Sequence, residues 1–170
     1  MKFAIVFDSN TGNTKMIAEA IKEELSEEDV LYFGKPGEVA DADVYIVGSW
    51  TEKGMCTPKI GTFLESLRQK KIALFGTAGY GGSEDYYASL VERIKGHLDE
   101  SNVFLGWFYC QGKMPMAVRS RYEKMMTEHP EDRKLQVSLD NFDAALSHPD
   151  GEDLVKAKKW IRGILEELGK

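Results

Sequence analysis

Short apolar runs alternate along this chain with stretches of helical periodicity, and this alternation limits the possible folds more than any other feature. The runs are rich in β-branched and aromatic residues, which is typical of buried strands. The predicted strands are Lys2–Phe7, Val30–Phe33, Val44–Ser49, Lys71–Gly76 and Val103–Cys110. Because strands and helices alternate, we expect a three-layer, doubly wound α/β domain with a five-stranded parallel sheet.

Helical stretches follow four of these runs. Apolar residues recur there at intervals of three and four, as at Ile17, Ala20 and Ile21. The predicted helices are Thr14–Leu25, Ile60–Leu67, Tyr86–Leu98 and Leu154–Leu168. Asp150 and Asp153 are suited to cap the last helix. Residues 34–43 are polar and few, so we predict one turn or a loop there.

Residues 111–150 exceed what a minimal five-stranded domain needs between its last strand and last helix. Two amphipathic stretches lie in this segment. Their apolar positions are Val118, Tyr122 and Met125/Met126 in the first, and Leu135, Leu139, Phe142 and Leu146 in the second. We predict two short helices packed on the domain edge. Since no repeat or linker interrupts the chain, residues 1–170 are predicted to form a single domain with a helical insertion at about 111–150.

Charge and composition exclude several classes of protein. The 170 residues carry a net charge of −6, which argues against a nucleic-acid partner. No apolar run could cross a bilayer, and the run Phe3–Phe7 is too short for a signal peptide. We therefore expect a cytoplasmic protein without a membrane partner. Cys56, Cys110 and the three histidines show no ligand spacing, so no metal is predicted.

The loop after the first strand offers hydroxyls, amides and a glycine at a helix N-terminus. It comprises Ser9, Asn10, Thr11, Gly12, Asn13 and Thr14. Backbone N–H groups and the helix dipole at such a position suit an anion, so the loop is a candidate phosphate site. An ordinary turn capped by Thr11 or Asn13 is the alternative. The dinucleotide fingerprint and the P-loop motif are both absent.

Aromatic residues accompany glycines in the loops after the third and fourth strands. Trp50 precedes Gly54, and Tyr80 lies among Gly76, Gly79, Gly81 and Gly82. Glycine lets the backbone approach a flat ligand, and an aromatic ring can stack on it. Either ring alone is more commonly a packing residue. Together with a phosphate loop, however, the two indicate a phosphate-bearing aromatic cofactor.

Two segments carry a resemblance to a known family. Residues 9–14 (SNTGNT) resemble the phosphate loop of flavodoxins, (S/T)-x-T-G-N-T, and Lys70–Gly82 (KKIALFGTAGYGG) resembles their fourth strand and flavin loop. The resemblance covers about residues 1–110 and the last helix, and it implies a flavodoxin-like sheet of order 2-1-3-4-5. GWFYCQGKMP and residues 111–150 depart from minimal flavodoxins. They look more like a branch of flavodoxin-like proteins, some of which accompany a bilirubin reductase.

This resemblance implies FMN as the cofactor. Residues 9–14 would hold the phosphate, Tyr80 would stack on one flavin face, and Trp50 would cover the other face or its edge. The Lys53–Gly54 peptide would carry the carbonyl that turns toward flavin N5. The implied cofactor-binding residues are Ser9, Asn10, Thr11, Gly12, Asn13, Thr14, Trp50, Thr51, Lys53, Gly54, Thr77, Ala78, Gly79, Tyr80 and Gly81.

Three functions are compatible with these features. The first is a monomeric one-electron carrier between an electron-donating reductase and an accepting enzyme, with no catalytic side chain. The second is an FMN-dependent NAD(P)H oxidoreductase or dedicated reductase subunit, whose substrate pocket residues 111–150 would wall. The third is a flavin-free receiver-like signalling domain. Asp8 and Lys113 fit that class, but Ser49–Trp50 stands where it needs an aspartate.

The excess negative charge lies in residues 1–50, which hold ten Asp/Glu and four Lys/Arg. This region includes the phosphate loop. We therefore expect carboxylates near the cofactor, where they would lower its reduction potential and steer a basic partner. A solvated helix end, including Glu23, Glu24 and Glu27, is the alternative.

Overall fold

The computed structural model describes residues 1–170 and contains one parallel sheet of five strands in the order β2-β1-β3-β4-β5. This confirms the predicted topology. The strands are β1 (Phe3–Asp8), β2 (Val30–Gly34), β3 (Val44–Trp50), β4 (Lys71–Ala78) and β5 (Val103–Gln111). In the central register, Val6 lies beside Val47, Val47 beside Leu74, and Leu74 beside Trp107. All carboxyl ends therefore meet at one edge of the sheet, where ligands bind in folds of this kind.

Six α-helices complete the fold. They are α1 (Asn13–Lys22), α2 (Pro58–Ser66), α3 (Glu84–Lys95), α4 (Met116–Glu128), α5 (Arg133–Ala145) and α6 (Gly151–Glu167). A 3-10 turn at Glu27–Asp29 precedes β2. The connection from Gly34 to Val44 contains no helix, so the second crossover is a loop, one of the two forms predicted for it. None of the helices is both long and apolar enough to span a membrane.

The alternation of side chains along each strand creates two separate cores. Phe3, Ile5 and Phe7 of β1 belong to the core beneath α1 and α6, whereas Ala4 and Val6 belong to the core beneath α2 and α3. Because helices cover both faces, neither face of a central strand can be polar. This explains why the strand segments are continuously apolar.

Two boundaries beside the carboxyl end of the sheet differ from the predicted ones. β4 continues through Thr77 and Ala78, both of which are buried, because these residues pair with Cys110 and Gln111 of β5. α3 begins at Glu84 rather than Tyr86, since the Ser83 side chain accepts a hydrogen bond from the Tyr86 N–H at 3.3 Å. The loop after β4 is consequently shorter than the sequence indicated.

The sequence predicted that the insertion packs on the domain edge. In the structure it lies instead across the carboxyl end of the sheet. The Asn13 side chain donates to the Lys113 carbonyl at 2.9 Å, and Asn141 of α5 donates to the Gly79 carbonyl at 2.8 Å. These bonds tie the insertion to the loops after β1 and β4. Leu135, Leu139 and Phe142 are buried as predicted, but Leu146 is exposed and no residue of α4 is buried.

The N-terminus of α6 forms a reciprocal capping box, as Asp150 and Asp153 predicted. Asp150 Oδ1 accepts the Asp153 N–H and Asp153 Oδ2 accepts the Asp150 N–H, both at 2.9 Å. The Asp153 N–H also lowers the pKa of the Asp150 carboxyl. His148 Nδ1 lies 2.6 Å from Asp153 Oδ2, a grouping that the sequence did not reveal. The capping box accounts for the positions of Asp150 and Asp153.

Cys56 provides a test of the core at alkaline pH. Burial raises the pKa of its thiol to about 11, whereas an ordinary thiol ionises near pH 9.0. The unfolded chain therefore loses this proton first, and stability falls as pH rises from 9 toward 11. Between pH 8 and pH 10, the unfolding free energy of native protein should fall about 1 kcal/mol more than that of Cys56→Ala. Urea unfolding at each pH measures this, and equal declines would show that the thiol is not buried.

Candidate cofactor site

A cleft of about 520 Å³ opens at the carboxyl end of the sheet, between the loops after β1, β3 and β4 and helix α4. The volume is that of a small-molecule site. Ten of the fifteen sequence-predicted residues line it, namely Asn10, Thr11, Asn13, Trp50, Thr51, Lys53, Gly54, Thr77, Gly79 and Tyr80. Five do not line it, namely Ser9, Gly12, Thr14, Ala78 and Gly81.

The loop after β1 presents the N-terminus of α1 to this cleft. Gly12 has φ +92°, a left-handed conformation that favours glycine. As the N-cap residue, Gly12 has no side chain to cap α1, and the first turn contains no acidic residue. Ser9 Oγ accepts the N–H groups of Gly12 and Lys15, at 3.2 Å each, which holds the loop in its bend. The N–H groups of Asn13 and Thr14 form no hydrogen bond within the chain, so they and the positive dipole end remain available for an anion.

Asn13 and Thr14 are buried at the start of α1 and play different parts. The Thr14 and Thr77 hydroxyls lie 3.0 Å apart in a hydrogen bond that joins α1 to β4, so Thr14 is a structural link. Asn13 is only 6% exposed and its Oδ1 has no hydrogen-bond partner within the chain. A buried acceptor without a partner is costly. At a cleft wall, a ligand hydroxyl would satisfy it.

Aromatic rings form much of the cleft wall. Trp50 at the end of β3 is half-buried, and Tyr80 is 57% exposed. Tyr86 of α3 packs edge-to-face on Tyr80 with ring centroids 5.2 Å apart, and burial raises the pKa of its hydroxyl. Tyr122 of α4 also lines the cleft. The cleft can therefore accept a flat, aromatic ligand.

The loop after β3 contains a tight turn at Glu52–Met55. Backbone hydrogen bonds of 2.9 and 3.0 Å join Glu52 and Met55, and both residues between them have positive φ: 50° at Lys53 and 73° at Gly54. Arg93 of α3 donates to the Gly54 carbonyl at 3.0 Å. The Lys53 carbonyl has no hydrogen-bond partner, so the predicted peptide lies in a turn that leaves its oxygen free.

The insertion fixes the loop after β4 through α5. Asn141 donates to the Gly79 carbonyl and accepts a hydrogen bond from the Gln111 side chain at 3.1 Å. Met114 packs so closely that a Cβ on Gly79 would lie 2.5 Å from its sulfur. A larger residue at position 79 would require the Met114 side chain to move. The position of the Tyr80 loop therefore depends on residues more than 30 positions further along the chain.

A family model described as a flavodoxin domain matches residues 4–162 of this sequence.

The chain belongs to this family.

Related proteins agree with this assignment. The flavodoxin-like domain-containing protein BilS of Clostridium symbiosum (strain WAL-14163) is 37% identical over 187 residues, covering 99% of this chain and 98% of the relative. Oxidised flavodoxin 1 from Bacillus cereus has the same fold, with a TM-score of 0.60, 17% identity and 98% coverage of both chains. A flavoprotein from Lactobacillus acidophilus NCFM, solved in complex with FMN, gives a TM-score of 0.50 at 19% identity, covering 64% of this chain and 92% of that one. The family predicted from residues 9–14 and 70–82 is confirmed.

The sequence reasoning missed eight residues of this flavodoxin-domain cleft. They are Tyr86, Gly112, Lys113, Met114, Pro115, Val118, Arg121 and Tyr122. Seven of them belong to the insertion or its first linker. The surplus length of 111–150 marked the segment as unusual, but no local pattern placed it over the cleft.

The expectation that carboxylates lie near the cofactor is wrong. The charged residues that line the cleft are Lys53, Lys113 and Arg121, with no carboxylate among them. α1 begins at the cleft and runs away from it, so Glu24, two residues beyond its C-terminus, lies at the far end and pairs with Arg162 of α6 at 2.8 Å. Asp29, ahead of β2, pairs with Lys2 and Lys170. The helix-end alternative therefore describes Glu24 and Asp29, both of which are ion-paired.

Proposed function

We propose that this flavodoxin-domain protein binds FMN in the cleft and transfers electrons as a monomeric cytoplasmic carrier. The observation that carries the proposal is the N-terminus of α1, with the Asn13 and Thr14 N–H groups unpaired, opening into a cleft with aromatic walls. The helix terminus suits a phosphate, the aromatic walls suit an isoalloxazine, and Asn13 Oδ1 suits a ribityl hydroxyl. These three features match the three parts of FMN.

In this proposal, each loop around the cleft has its own role in binding FMN. Residues 10–14 hold the phosphate through backbone N–H groups, whereas Ser9 and Thr14 keep the loop and helix in place. Tyr80 and Trp50 hold the ring system, and the Lys53–Gly54 turn presents its free carbonyl. FMN supplies the one-electron chemistry when it is bound. Lys53, Lys113 and Arg121 place positive charge at the cleft, which favours acceptance of an electron.

A second candidate is an FMN-dependent NAD(P)H oxidoreductase or reductase subunit. The observation that favours it is α4, whose Val118, Arg121 and Tyr122 wall the cleft. A receiver-like domain is not proposed. Ser49 Oγ at the end of β3 donates to the Trp50 carbonyl at 2.7 Å and accepts the Thr57 N–H at 3.0 Å, where such a domain needs an aspartate.

Anaerobic reduction followed by visible absorbance separates the two candidates. We expect the FMN-loaded protein to be bleached by dithionite, and to be bleached by NADH or NADPH only after a separate reductase is added. Rapid bleaching by NADH or NADPH alone would contradict the carrier and favour the enzyme. A preparation that neither retains nor takes up FMN would contradict both.

Asn141 should influence FMN affinity although it lies outside the cleft. Asn141→Ala removes the hydrogen bond to the Gly79 carbonyl and frees the Tyr80 loop. We expect about a tenfold increase in the FMN dissociation constant. Fluorescence titration of the apoprotein measures this. Gln136→Ala on the same helix is the control, since Gln136 bonds only to Asp140. Equal affinities for native protein and Asn141→Ala would show that the loop is positioned without α5.

A further inference from the structure

Tyr80 lies between two clefts and lines both of them. On one side is the cofactor cleft, and on the other is a second cleft of about 320 Å³ against α5. The second cleft is formed by Tyr80 with Arg133, Lys134, Val137 and Ser138. Val137 is exposed, as is the Tyr80 ring, so the rim between the clefts has an apolar centre.

Five cations line the two clefts that share Tyr80. Lys53, Lys113 and Arg121 line the cofactor cleft, and Arg133 and Lys134 line the second cleft. We call these five residues with Tyr80 the cationic face. All five are exposed, and the charged residues lining the two clefts include no Asp or Glu.

None of the five cations forms an ion pair within the chain. Elsewhere both kinds occur: Lys70 and Arg162 are paired, whereas Lys22 and Lys159 are not. A chain with net charge −6 thus leaves five unpaired cations on one face. Their mutual repulsion is unfavourable unless an anionic surface meets them.

We propose that the cationic face is the docking surface for a redox partner whose own contact surface is acidic. The proposal rests on the function proposed above, which places FMN beside Tyr80. The five cations extend over two clefts, so a small anion in either cleft would leave part of the set unused. An exposed aromatic residue ringed by charged groups is the arrangement of a protein interface.

The experiment uses small charged oxidants as probes of local charge. FMN-loaded protein is reduced with dithionite under anaerobic conditions and mixed in a stopped-flow instrument with ferricyanide or with hexaamminecobalt(III). With rising salt we expect the ferricyanide rate to fall about tenfold and the cobalt rate to rise. The net charge of −6 alone would give the opposite signs.

Paired variants assign the effect to the cationic face. Arg133→Gln with Lys134→Gln lies outside the FMN cleft and should reduce the salt dependence toward ferricyanide by about half. Lys22→Gln with Lys159→Gln removes the same charge from α1 and α6 and should leave it unchanged. Salt effects of the opposite sign, or equal effects of the two double variants, would overturn the proposal. Absence of bound FMN would contradict the proposed function itself, and the docking proposal with it.

Discussion

Thr11→Glu should abolish FMN retention. Thr11 is exposed in the loop after β1 and lines the cleft beside the N-terminus of α1. A carboxylate there would occupy the anion site with its own charge and repel a phosphate at close range. We expect the FMN dissociation constant to increase more than a thousandfold, to the point where the purified protein is colourless. Fluorescence titration of the apoprotein provides the measurement.

Thr62→Glu is the matched control, because Thr62 is exposed on α2 and does not line the cleft. It makes the same change of charge and volume and should leave FMN binding unchanged. Native affinity in Thr11→Glu would place the phosphate elsewhere. Unfolding of the apoprotein should be similar in both variants, since an exposed loop residue has little effect on stability.

Replacing Tyr80 should produce the second largest effect. The ring is 57% exposed and supported edge-to-face by Tyr86, so it can present a face to a ligand at little cost. Stacking of an aromatic side chain on a heterocyclic base contributes about 1–3 kcal/mol. Tyr80→Ala should therefore weaken FMN binding by about 10- to 100-fold. Because the ring would lie against the isoalloxazine in the proposed complex, the reduction potential should also shift.

Tyr80→Phe provides the comparison, since it retains the ring and loses only the hydroxyl. We expect near-native FMN affinity for it. The dissociation constants come from fluorescence titration, and the potentials from anaerobic titration against a reference dye. Unchanged affinity and potential in Tyr80→Ala would remove Tyr80 from the flavin site and assign it to packing on Tyr86.

The strands and the α/β class followed from the sequence because strands buried on both faces must be continuously apolar, whereas the strand order followed from the resemblance to flavodoxins. Lys71–Ala78 and Val44–Trp50 are clear examples. The loop after β1 was equally accessible, since its residues are consecutive and the helix dipole acts locally. Sequence patterns therefore predict best those features that depend on residues close together in the chain.

The position of the insertion could not be predicted from sequence patterns. Its two helices were predicted, but Asn13–Lys113 and Asn141–Gly79 are contacts between distant residues, which periodicity does not encode. Thr14 was predicted to hold phosphate, and because its hydroxyl is paired with Thr77 inside the domain, only its backbone N–H remains for that role. The position of the excess negative charge was predicted wrongly for a similar reason. α1 runs away from the phosphate loop, and most of the acidic residues follow its C-terminus.

The central claim is that the phosphate of FMN is bound by the loop after β1, within the cleft that Tyr80 and Trp50 enclose. Comparing FMN with riboflavin in titrations of the apoprotein tests it most directly, since the two ligands differ only in the phosphate. Our account predicts that FMN binds at least about 100-fold more tightly, and that Thr11→Glu abolishes this preference. Equal affinities of native protein for FMN and riboflavin would contradict it.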